Sequence, residues 1–148
     1  MALQLAVIVD SISKISVTGL EVLDIDQVPA TVDIRKRVLM PLADFVTDLD
    51  VTRDSFGAGD AKMTVVYRLH YRLFYEPAGG LRITKLESLP GLLETIGKVW
   101  DAVLALDTLP GAVDIVPADI TNMGIVNDPS DSLWYGCDLG FYITEFVN

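Results

Sequence analysis

Side chains able to carry out chemistry are few in this sequence, and their spacing is poor for it. There is one histidine, His70, which excludes a multi-histidine metal centre and leaves little for acid–base work. His70 falls on the polar side of an alternating segment and reads as an exposed or interface side chain. The one cysteine, Cys137, falls on the apolar side of another alternating segment and reads as a small buried hydrophobe. With no second cysteine, no internal disulfide can form. Gly57-Ala58-Gly59-Asp60 lacks the Gly-Lys-Ser/Thr continuation of a phosphate loop and joins two extended runs, not a strand to a helix. Asp24, Asp26 and Asp33, and then Asp44, Asp48, Asp50 and Asp54, miss the spacing of a calcium loop. No catalytic, cofactor-binding or metal-ligating residue is assigned, and the chain reads as non-enzymatic. Arg35-Lys36-Arg37 is a short basic run in an acidic chain. Its plain reading is a solvated strand face; its sharper one is contact with an acidic patch on a neighbouring subunit.

The bulk properties bound the elements that hold these residues. A length of 148 residues fits a single domain, residues 1–148, with one substantial core. A net charge of −10 and a pI of about 4.3 make a nucleic-acid backbone an unsuitable partner, since that takes clustered cations. The chain is 51% hydrophobic with mean hydropathy +0.40, yet its longest apolar runs, residues 5–9 and 99–106, fall far short of the roughly 20 residues of a membrane helix. The apolar excess is expected in the core or between subunits. The opening residues lack the basic start of an export signal, and nothing in the sequence suggests export.

Periodicity gives the order of elements. Leu5, Ile8, Val9, Ile12 and Ile15 recur at helical spacing, with Gly19 as the expected helix end. Short strands are expected at residues 20–25 and 31–40, the second stopped or placed at an edge by Pro41. Two alternating runs then flank residues 57–59. With that glycine pair as the hairpin loop, Val51 faces Val65, Thr52 faces Thr64, Leu49 faces Tyr67 and Phe45 faces Tyr71. On the polar side Asp54 meets Lys62, Asp48 meets Arg68 and Asp44 meets Arg72. Residues 81–86 read as briefly extended. Leu92, Leu93, Ile96, Val99, Trp100, Val103 and Leu106 form a helical stripe, with Ser88 as N-cap. An edge strand containing Pro117, a loop over residues 121–132 and a closing strand over residues 133–147 complete the chain. The fold class is α+β: a mainly antiparallel sheet with a long hairpin, packed by two helices.

This order, with one amphipathic helix at residues 92–106 and a closing strand ending Tyr142-Ile143-Thr144-Glu145-Phe146-Val147-Asn148, resembles the tail terminator and neck (head–tail joining) proteins of long-tailed bacteriophages. The resemblance implies a structural virion protein, made in the host cytoplasm, that assembles as a ring, usually a hexamer. Such a ring caps the tail tube, with the tail tube protein and the head–tail connector as partners and no cofactor. In a ring, Arg35, Lys36 and Arg37 would form one contact patch, and the acidic loop around Asp128 and Asp131 the other. The alternatives are another connector or stopper protein, or a small ligand-binding or enzymatic domain with a pocket between helix and sheet.

Overall fold

The structure, a computed structural model, describes residues 3–27, 37–53, 62–78, 84–107 and 109–147. Its elements are α1 (Leu5–Ser13), β1 (Glu21–Val22), a 3-10 turn (Ile25–Gln27), β2 (Val38–Arg53), β3 (Met63–Pro77), α2 (Thr84–Leu104), β4 (Val113–Asn127) and β5 (Leu133–Val147). The strands form one sheet in the order β1-β2-β3-β5-β4, antiparallel except for the short parallel pairing of β1 with β2. The chain is thus an α+β fold with a mainly antiparallel sheet.

The alternation of β5 decides the layering. Tyr135, Cys137, Leu139, Phe141 and Ile143 point to one side, where they join Val65, Tyr67, Leu69, Tyr71 and Leu73 of β3 in the main core. Both helices pack on this side, α1 through Ile8, Val9 and Ile12, and α2 through Leu92, Ile96, Val99 and Val103. A carboxylate is set into this core. The buried carboxylate of Glu145 accepts hydrogen bonds from the Tyr67 hydroxyl (2.6 Å) and from the backbone N–H of Gln4 (2.7 Å), fixing the start of α1 to β5. A smaller cluster of Leu23, Val38, Met40, Phe74, Val126 and Trp134 lies apart from the main core, with Phe74 and Trp134 edge to face at 5.9 Å. It accounts for Phe74, one of two apolar residues, with Val66, on the mostly polar side of its strand.

Several boundaries differ from expectation, each for a local reason. Helix α1 ends at Ser13 and not at Gly19. The Ser13 hydroxyl donates back to Asp10 O at 2.5 Å, and the β-branched Ile15, Val17 and Thr18 that follow favour extended chain. Gly19, at φ +77°, instead serves a tight turn in which Leu20 N–H donates to Val17 O. The expected stop at Pro41 is absent, because β2 runs on to Arg53. Pro41 lies just past the β1 pairing, where β2 has no outer neighbour among the described residues, so its missing N–H breaks no ladder.

The hairpin register holds nearest the loop: Val51 pairs with Val65 and Thr52 with Thr64. It then slips. One extra residue enters between Thr47 and Asp50, where Asp48 takes φ +55°, and more enter between Pro41 and Val46. Tyr71 consequently faces Pro41, and Arg72 faces Met40, so the expected Phe45–Tyr71 and Asp44–Arg72 facings are not formed. Leu49 falls in the bulge, where it and Asp48 together stand against Tyr67 without a regular one-to-one partner. Asp48 still reaches Arg68, at 3.6 Å. The expected loop at residues 57–59 and the Asp54–Lys62 facing lie outside the described residues, as do residues 31–36 of the expected second strand.

Helix α2 begins at Thr84, so residues 84–86 are helical and not extended; Lys85, Leu86 and Glu87 are all good helix formers. Ser88 is therefore inside the helix, and its hydroxyl donates to Glu76 of β3 instead of capping. Strand β4 continues to Asn127 through the expected loop. Asn122 (φ +52°) and Gly124 (φ +133°) absorb a bulge there, and the connection shrinks to residues 128–132. Pro117 does lie on an edge strand, and β5 spans the expected residues.

Candidate functional site: the open sheet face

The side of the sheet away from α1 and α2 is where charged residues gather. Strand pairing places Arg72 of β3 opposite Asp138 of β5. Their side chains meet in a two-pronged contact, Nε to Oδ1 at 2.6 Å and Nη2 to Oδ2 at 3.0 Å, the geometry that best matches guanidinium to carboxylate. Asn122 Nδ2 donates to the same Asp138 Oδ2 at 2.7 Å, and Arg72 Nη1 donates to Asn127 O at 3.3 Å. Hydrogen bonding to Asp138 raises the Arg72 pKa further above its already high value, so this cation is permanent.

One row on, Arg68 donates to Asp119 at 2.5 Å, approaches Asp48 at 3.6 Å and lies over the Tyr142 ring at 5.3 Å. Gly140, paired with both His70 and Asp119, makes this possible. A Cβ there would run into the Asp119 carboxylate and come into contact with the Arg68 side chain. Gly136 is equally constrained, since a Cβ would strike Leu73 O. Beside this ladder His70 Nε2 and Thr47 Oγ1 share a hydrogen bond of 2.6 Å.

Each guanidinium faces carboxylates, so charge is balanced inside the face. The Thr47–His70 pair has no carboxylate on the second ring nitrogen among the described residues. No group of three or more His, Cys, Asp or Glu that could hold a metal ion occurs among them either. Cys137 lies on the helix side, fully buried, with burial and then the nearby Asp138 charge pushing its thiol up to about 12, so a thiolate nucleophile is not available. Next to the ladder the face turns apolar. Val116 pairs with Tyr142, and Tyr142 and Phe146 stand 41% and 57% exposed.

The charged contact candidates fare differently. Arg35 and Lys36 lie outside the described residues. Arg37 is held within the subunit: it lies over the Tyr75 ring at 4.2 Å, donates to Tyr75 O at 3.2 Å and approaches Glu76 at 3.6 Å. Asp128 is buried and organises the β4–β5 turn. It accepts from Ser130 N, Ser130 Oγ, Ser132 N and Trp134 Nε1 at 2.7–3.2 Å. Asp131, at φ +66°, is exposed at the tip. Arg37 and this turn emerge at the same end of the sheet, separated by β3 and β5. Sequence reasoning missed Asp119 and Asp138. The signal available was Gly136-x-Asp138-x-Gly140 on the non-core side of β5, two gaps flanking one acid.

Among the described residues no helix is long and apolar enough to cross a membrane. A scan of the chain against protein-family models finds no match, and a search of curated proteins finds none either.

Proposed function

We propose that this chain is a structural subunit of the tail-terminator or neck type. In this reading it forms a ring of identical copies, of hexamer size, that caps a phage tail tube and meets the head–tail connector. The observation that carries it is the asymmetry of the sheet: two helices cover one face, while the other offers Val116, Tyr142 and Phe146 to solvent beside an internally neutralised ladder. Exposed apolar side chains next to satisfied charges suit a contact that must bury surface without stranding a charge. The resemblance in element order supplies the specific identity, and the virion is the location it implies.

Electron microscopy of tails assembled with and without the chain tests this. Rings at tube ends that vanish without it are expected. Copies that sit apart in the particle, with no contact between equivalent chains, would falsify the reading.

A further inference from the structure

We propose that neighbouring copies join by strand pairing, with residues 50–53 of β2 in one copy against residues 113–116 of β4 in the next. This rests on the ring reading above and names the surfaces that close it. Among the described residues, β2 beyond its β1 pairing and β4 along its whole length are the outer edges of the sheet. Edge strands are templates for further pairing unless they are spoiled, and here most of both edges is spoiled. Pro41 and irregularities between Pro41 and Val46 and between Thr47 and Asp50 disrupt β2; Pro117 and irregularities on either side of Asp119–Thr121 disrupt β4. Among the described residues two edge stretches of four residues, besides the far tip of β4, remain in unbroken register. They are residues 50–53, in step with 63–66, and residues 113–116, in step with 142–145.

These two stretches occupy the same rows. Asp50, Val66, Thr144 and Asp114 form one row, and Val51, Val65, Glu145 and Val113 the next. Direction agrees as well. β2 is antiparallel to β3, β3 to β5, and β5 to β4, so β2 and β4 run in opposite senses. A second copy set beside the first, its sheet continuing in the same orientation, therefore presents β4 antiparallel to β2. Such a contact uses two different surfaces, the head-to-tail geometry of a closed ring.

Side chains select the register. Matching rows would set Asp50 directly against Asp114, a like-charge pair that destabilises. A shift of two residues sets Thr52 against Asp114 and Val51 against Ile115, keeping apolar against apolar. It also covers Val51, which is 45% exposed in the isolated subunit although it sits in a regular ladder.

Cysteines at Thr52 and Asp114 test the pairing. Facing residues on antiparallel strands hold their Cβ atoms roughly 4.5–5.5 Å apart, close enough for a disulfide after small adjustment, and native Cys137 is buried away from oxidant. Assembled protein carrying both Thr52→Cys and Asp114→Cys, oxidised and run without reductant, is expected to give a ladder from dimer to full ring, while either single variant gives none. Rings seen by microscopy without cross-linking of the double variant overturn this pairing and leave the ring reading standing. Cross-linking of Thr52→Cys alone overturns it in favour of a two-fold dimer through β2. Absence of any assembly of the unmodified chain removes both. Val51→Asp supplies an independent check, with the assembly midpoint expected to rise about tenfold and the subunit's own unfolding unchanged; an unaltered midpoint counts against the pairing.

Discussion

The two faces of β5 are buried by different means. On the helix side, Cys137, Leu139, Phe141 and Ile143 are covered by whole elements, and α1 and α2 could not pack elsewhere without exposing their apolar stripes. On the other side Gly136, Asp138 and Gly140 are equally buried, yet no helix takes part. Over Gly140 and Asp138 the cover is the Arg68 and Arg72 stems of β3 with Asp119 and Asn122 of β4, and over Gly136 it is the Leu73 carbonyl and Val126. One face is closed by hydrophobic area and the other by matched charge, so the first should carry most of the stability and the second most of the positional specificity.

The sharpest way to break that contrast is to excavate the helix side. Phe141→Ala, which empties a fully buried site against Tyr71, is expected to cost about 3–5 kcal/mol in denaturant unfolding; a loss under half of that range would show the helix layer to be loosely packed. On the open face, Asp138→Ala leaves Arg72 and Asn122 without their shared acceptor. A cost of about 1–3 kcal/mol is expected. A loss as large as that of Phe141→Ala would erase the difference between the faces.

Asp128 sharpens the comparison through pH. Burial works to raise its pKa, but the combined hydrogen bonds from Ser130, Ser132 and Trp134 prevail and hold it below the ordinary aspartate value of 3.8. The unfolded chain then binds its proton first. This stabilising contribution is complete above the unfolded value and is lost as pH falls through the folded one. Unfolding midpoints measured from neutral into acid should fall less steeply for Asp128→Ala than for the unmodified chain; parallel curves would mean that the turn does not depend on the charge. The smallest effect belongs to Asp48→Ala. That carboxylate is largely exposed and 3.6 Å from Arg68, so its removal should change stability by no more than about 1 kcal/mol. A larger loss in the same unfolding assay would show that the positive-φ bulge, and not the ion pair, depends on Asp48.

The sequence made the helix side legible because repetition marks it. The β5 alternation and the α2 stripe are long regular signals, and the Val51–Val65 register follows from a polar and an apolar face meeting in one way only. The open face was harder to read. An alternating pattern has no means of registering an inserted residue, so the bulge at Asp48 and the longer irregularity after Pro41 displaced Arg72 from Asp44 to Met40. Its true carboxylate partner is 66 positions away, on a strand not adjacent in sequence. Asn122 and Gly124 carried genuine backbone information, but the same residue types mark a loop and a bulge.

The bond from Gln4 N–H to Glu145 joins positions 141 apart. The strand carrying Glu145 is last of the five in sequence, yet it sits between β3 and β4. During synthesis neither the N-terminal helix nor the inner edge of β3 can find its final neighbour until residues 133–147 leave the ribosome. Such distant pairings slow folding and keep sticky strands exposed meanwhile. Subunits should therefore mature only once β5 has emerged, and a chain halted before it should behave as a chaperone client.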